Sequence, residues 1–204
     1  MTSQDAAPNP VQPPSPPQKN MGLLRIVIVV VALVVVISAI AVIYHETHLG
    51  SVTTSSNLKV AVLPSSTIDS LAGTTLTVST RTFTTSSNYT TVKAIEEEFN
   101  KTTNGSFSGS IIIVSAEFAS SSQVNALYNQ VYENVSNEVK GIQNVKNQNE
   151  SYKGFSYFLV SYTESYLSEY IVIGHNGKYF FEILDINVYV SNINTLVYDE
   201  ISAM

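Results

Sequence analysis

Residues 167–185, LSEYIVIGHNGKYFFEILD, decide how the chain folds. Two aromatic and β-branched runs flank Asn176-Gly177, and both of those residues tolerate the positive φ that a type I′ hairpin turn requires. Placing His175 opposite Lys178 then sets Val172 against Phe181 and Tyr170 against Ile183 on one surface. Ile173 meets Phe180, and Ile171 meets Glu182, on the other. Both surfaces are mostly apolar, so a sheet built from them needs cover on both sides. Residues 155–163 add a further strand of the same character, and Val190, Ile193, Val197 and Ile201 trace an amphipathic helix able to supply cover.

Working back along the chain, residues 111–118 (IIIVSAEF) form a short apolar run that suits an interior strand. A helix is expected next: Ser120 with Gln123 matches a capping box, and Val124, Leu127, Val131, Val135 and Val139 make one stripe as far as Gly141. Upstream, Ser87 or Asn88 caps an expected helix in which Val92, Ile95 and Phe99 share a face while Lys93, Glu96, Glu97 and Glu98 point outward. Asn104-Gly105 ends it. Residues 58–63 and 76–83 read as strands. The expectation is an α/β (α+β) domain over residues 58–204, a mainly antiparallel sheet covered by helices in the order β-β-α-β-α-β-β-β-α.

That order, with a long helix before a three-strand meander and a helix after it, resembles the PsbP-like fold. The resemblance implies a sandwich of sheet and helices and implies no particular activity, because that family includes both enzyme subunits and binding modules.

The amino-terminal part of the chain is different in kind. Residues 1–21 hold six of the seven prolines and no apolar set, which predicts a disordered Pro-rich tail on the cytoplasmic side. Residues 26–44 (IVIVVVALVVVISAIAVIY) carry no formal charge, and as a helix they span close to the roughly 30 Å hydrocarbon core. Residues 22–44 are therefore expected to cross the lipid bilayer as a signal anchor. Lys19 and Arg25 precede the span and His45, Glu46 and His48 follow it, so the amino terminus is expected inside the cell and the domain outside. Two other readings are open: a secretion signal cleaved after Ala41, and a type IV pilin-like leader cut after Gly22. Residues 45–57 read as a Ser/Thr-rich stalk.

Composition limits the function. The 204 residues include 10 Lys plus Arg against 16 Asp plus Glu, a net charge of −6, which leaves no cationic surface for nucleic acid. No cysteine is present, which removes disulfides, thiolate nucleophiles and thiolate metal sites. The HETH at 45–48 spaces its histidines by three, not the four that lets two imidazoles reach one zinc ion from a helix face. His175 is expected to be exposed beside its turn. Hydroxyls are plentiful, but His175 is the only histidine beyond the stalk and no G-x-S-x-G or S-x-x-K occurs, so no nucleophile and base pair is marked. Glu96-Glu97-Glu98 reads as a wet helix face, Asp199-Glu200 as the end of another helix, and Glu117 and Glu182 as partly exposed acids at a strand edge. No catalytic residue, metal or cofactor is assigned.

Five Asn-X-Ser/Thr sequons follow the span, at Asn88, Asn100, Asn104, Asn134 and Asn149. Their number is close to chance for this composition, so location is the better guide. All except Asn134, which is placed on a helix, fall in expected turns or helix ends where an acceptor is exposed. Composition also resembles that of cell-surface proteins of thermoacidophilic archaea. The expectation is a single-pass, non-enzymatic surface protein with a glycosylated outer domain that binds or supports a surface-layer or other extracellular protein. Two alternatives are open: a secreted or vesicle-associated toxin similar to the sulfolobicins, and a pilin-like filament subunit.

Overall fold

A computed structural model describes residues 63–86, 91–140, 142–164 and 167–204. The tail, the apolar span, the stalk and residues 58–62 of the first expected strand lie outside the described residues, as does Asn88. Among the described residues no helix is long and apolar enough to cross a membrane.

The described chain is an α+β fold. Its elements are α1 (Ser65–Ala72), β1 (Thr77–Ser86), β2 (Thr91–Thr103), β3 (Ser106–Phe118), α2 (Ser121–Glu138), β4 (Val145–Tyr152), β5 (Phe155–Glu164), β6 (Leu167–Asn176), β7 (Tyr179–Ile186) and α3 (Ile193–Ala203). The seven strands form one sheet in the order β1-β2-β3-β7-β6-β5-β4, with every neighbouring pair antiparallel. After β3 the chain crosses one face as α2, reaches the far edge at β4, and steps back strand by strand until β7 pairs with β3.

Each sheet face has its own core. Under α2, Val124, Leu127, Val131 and Val135 pack on Val114, Ala116, Phe158, Ile171, Ile173, Phe180 and Leu184. On the opposite face, Ile68 of α1 and Leu196, Val197 and Ile201 of α3 pack on Phe99, Ile111, Ile113, Val172, Phe181 and Ile183. The two-sided apolar sheet and both carboxyl-terminal helices agree with the sequence reading. Ser120 is the N-cap of α2, but its hydroxyl meets Ser122 Oγ at 2.9 Å instead of capping a backbone N–H.

Three expectations need correction. The segment expected as a helix ending at Asn104-Gly105 contains strand β2: its alternation sends Ile95, Glu97 and Phe99 to the α1/α3 face and Ala94 and Glu96 to the α2 face. β3 is buried on both faces and needs a partner on each side, which outweighs the helix preference of a Glu-rich run. Glu96 and Glu97 are consequently buried, not a wet face.

The second correction concerns the hairpin. The turn residues are Gly177 and Lys178, with Asn176 paired to Tyr179, Gly174 to Phe181 and Val172 to Ile183. Only Gly177 has a positive φ, 55°, as a type II′ turn requires at its first central position. The two-residue slip keeps every side chain on its expected face. Gly174 suits this register: a Cβ there would lie 2.9 Å from Tyr157 Cβ and closer still to the Phe181 ring, so Phe181 occupies the space above the glycine.

Third, the element list changes. Residues 65–72 form a helix and residues 145–152 an edge strand, neither of them expected, while Leu63 is not in a strand. Glu182 is not at a strand edge. It lies in β7 at the centre of the sheet and is 1% exposed.

Candidate functional site

The β2–β3 hairpin closes on Asn104 and Gly105, with Thr103 paired to Ser106. Both turn residues have positive φ, 54° and 77°, so the type I′ turn expected at 176–177 is found here instead. A register shift beside Lys101 and Thr102 leaves Ser108 as an extra residue on β3 and pairs Thr102 with Phe107. The Phe107 side chain is 65% exposed, the most exposed large apolar group among the described residues.

A second loop docks against this hairpin. Asp185, fully buried at the end of β7, accepts the backbone N–H groups of Val188 at 3.1 Å and Val190 at 3.2 Å. Asn187 Nδ2 donates to Ser108 O at 2.8 Å, and a Cβ on Gly109 would fall 2.7 Å from the carbonyl oxygens of Ile186 and Asn187. These contacts hold Asn187 and Tyr189 at φ 62° and 67°, a conformation that costs a bulky residue about 1–2 kcal/mol. Tyr189 is left 39% exposed, with Lys101 Nζ 5.1 Å from its ring centroid. The hairpin turn, Phe107, Tyr189 and Lys101 thus share one end of the sheet.

The remaining unusual groups are acids inside the domain. Glu97 accepts the Leu63 N–H at 3.2 Å, and Glu200 accepts the Ser115 hydroxyl. Burial raises the pKa of Glu97, and it pushes Glu200 up to about 7 and Asp185 up to about 6 despite their donors. Glu182 has no hydrogen-bond partner for either oxygen, and burial pushes it up to about 8. In each case the pKa is raised first of all because the interior disfavours the charged form. Glu96 is raised by burial and faces Arg81 at 3.7 Å, a contact whose cation is largely exposed and contributes little. His175 is half-buried, 4.2 Å from Tyr128 between ring centroids, and burial lowers its pKa; it is not the exposed turn residue expected.

The structure separates the sequons. Asn104 is exposed at the tip of its turn, and Asn149 is exposed on edge strand β4. Asn100 lies within β2, not in a turn, and its Oδ1 is buried without a partner. Asn134 is half-buried on α2, and the Ser136 hydroxyl of its sequon is buried two residues on, where a helix turns it to another side. Asn88 is not among the described residues. Sequence reading missed Phe107, Tyr189 and Asp185. The available signal was Asn-Gly between two β-capable runs, which is a hairpin signature as well as a helix stop.

Among the described residues no group of three or more His, Asp or Glu is placed to hold a metal ion. No family model and no curated protein matches the chain. Among solved structures it is similar to the extracellular domain of PknH from Mycobacterium tuberculosis, with 8% identity over 69% of this chain and 90% of that chain and a TM-score of 0.46.

Proposed function

We propose that the chain is a single-pass cell-surface protein, anchored in the lipid bilayer by residues 22–44 with its amino terminus in the cytoplasm. Its outer domain is glycosylated and binds or supports a surface-layer or other extracellular protein without catalysing a reaction. The observation that carries this reading is the uncharged run at 26–44, followed by a stalk and a cysteine-free domain. Support also comes from the end of the sheet, where Phe107 and Tyr189 present rigid aromatic surface of the kind that protein contacts use. In this reading the architecture of the domain is similar to that of PsbP-like sandwiches. The long helix ahead of the carboxyl-terminal meander, and the helix after it, support that assignment.

Protease added to intact cells tests the topology. Release of a fragment from the region after Tyr44 is expected, and a domain protected until lysis would overturn the reading. The intact mass of the mature chain tests the anchor: residues 1–20 should be retained, whereas cleavage after Gly22 or Ala41 removes them.

A further inference from the structure

Phe107 is out of place in a domain that buries Phe99, Phe118, Phe155, Phe158, Phe180 and Phe181. Its exposed ring stands three residues after Asn104, on the strand leaving the turn that Asn104 begins. From this juxtaposition we infer that Asn104 is the acceptor of an N-linked glycan and that Phe107 is the surface on which the first sugar packs. The inference rests on the outer placement proposed above and names the modified position within it.

The four sequons among the described residues differ in exposure. Asn104 combines an exposed side chain, an exposed Ser106 two residues on, and open space around the turn, since a Cβ on Gly105 would meet nothing within 4 Å. Asn100 and Asn134 each have a buried, unpartnered oxygen in the sequon and would have to leave their packing to react. Asn149 is exposed, but the residue paired with it, Phe158, is buried against Tyr132 and offers it no exposed ring.

The chemistry needs a sugar donor of the lipid-phosphate-linked oligosaccharide class, together with a transferase on the outer side. The Asn104 Nδ2 forms a bond to the anomeric carbon as the bond from that carbon to the phosphate oxygen breaks. The lipid phosphate leaves with the bonding electrons, and the amide proton passes to a base of the transferase. Once attached, a pyranose has one face lined by C–H groups. Laying that face on the Phe107 ring removes apolar surface of both from water and leaves the hydroxyls solvated. Lys101 and Tyr189, already paired at the same end of the sheet, offer a donor and a second ring to the sugars that follow.

Full-length protein from the cells that make it provides the test. Mass mapping of its glycopeptides should find sugar on Asn104. In that glycosylated chain Phe107→Ala should lower the melting temperature by roughly 2–4 °C. In an Asn104→Gln background the same substitution should leave it unchanged, and Phe107→Tyr, which keeps the ring, should behave as the parent. An unmodified Asn104, or an equal effect of Phe107→Ala in both backgrounds, would overturn the inference. Sugar on Asn149 with Asn104 bare would do so while leaving the outer placement standing. A domain protected from protease outside the cell, with every sequon bare, would remove both.

Discussion

The two faces of the sheet treat buried acids differently. On the α1/α3 face, Glu97, Asp185 and Glu200 each receive at least one hydrogen bond, from Leu63 N, from Val188 N and Val190 N, and from Ser115 Oγ. On the α2 face, Glu182 is in register between Val114 and Ile173 and receives none. The first kind of acid organises the chain around it: Asp185 shapes the loop that presents Tyr189, and Glu97 ties Leu63, ahead of α1, to β2. The second kind organises nothing and is tolerated only in its neutral form. An acid with donors should therefore be costly to remove, and an acid without them should be a gain.

The largest effect is expected from Asp185→Ala. It strands two buried N–H groups and frees the strained loop, at a cost of about 2–4 kcal/mol by denaturant unfolding. A cost below about 0.5 kcal/mol would show that the loop keeps its shape without the carboxyl, and the contrast between the faces would be lost. Glu182→Met keeps the volume and removes the orphaned oxygens, so the domain should gain about 1–3 kcal/mol at pH 7. A loss of that size would mean that Glu182 has a donor after all. Gly177→Val does not touch either core, and nothing lies within 4 Å of the added carbon. It should cost only the backbone strain of a positive φ, about 1–2 kcal/mol, and lower the melting temperature by several degrees.

The same contrast explains what could be read from the sequence. β5, β6, β7, α2 and α3 were legible because burial on one face or two imposes a period: Val124, Leu127, Val131 and Val135 repeat as a helix does, and residues 171–173 and 180–184 carry apolar groups on both sides. β2 was misread because Val92, Ile95 and Phe99 also fall at helical spacing, and because buried Glu96 and Glu97 imitate a solvated helix face. β4 (VKNQNESY) is an edge strand exposed along most of its length, so no apolar alternation marks it. Of the candidate site, Asn104 was visible as a sequon. Phe107, Asp185 and Tyr189 were not, since their roles arise from the β2–β3 hairpin and the loop docked beside it, 80 residues apart in the chain.

Stability as a function of pH, measured for the parent and for Glu182→Gln, tests the account most directly. Glu182, Glu200 and Asp185 have folded-state pKa values of about 8, 7 and 6, all raised above the usual carboxylate range. The folded chain therefore keeps protons that the unfolded chain gives up. The contribution is fully present below about pH 4 and is lost as pH rises through those three values. The parent should be most stable in acid and should weaken as pH rises from about 4 to about 8, and Glu182→Gln should make that decline shallower and abolish its last part, between about pH 7 and 8. Stability that rises from pH 4 to pH 8, or a decline between about pH 7 and 8 that Glu182→Gln leaves unchanged, would contradict the account.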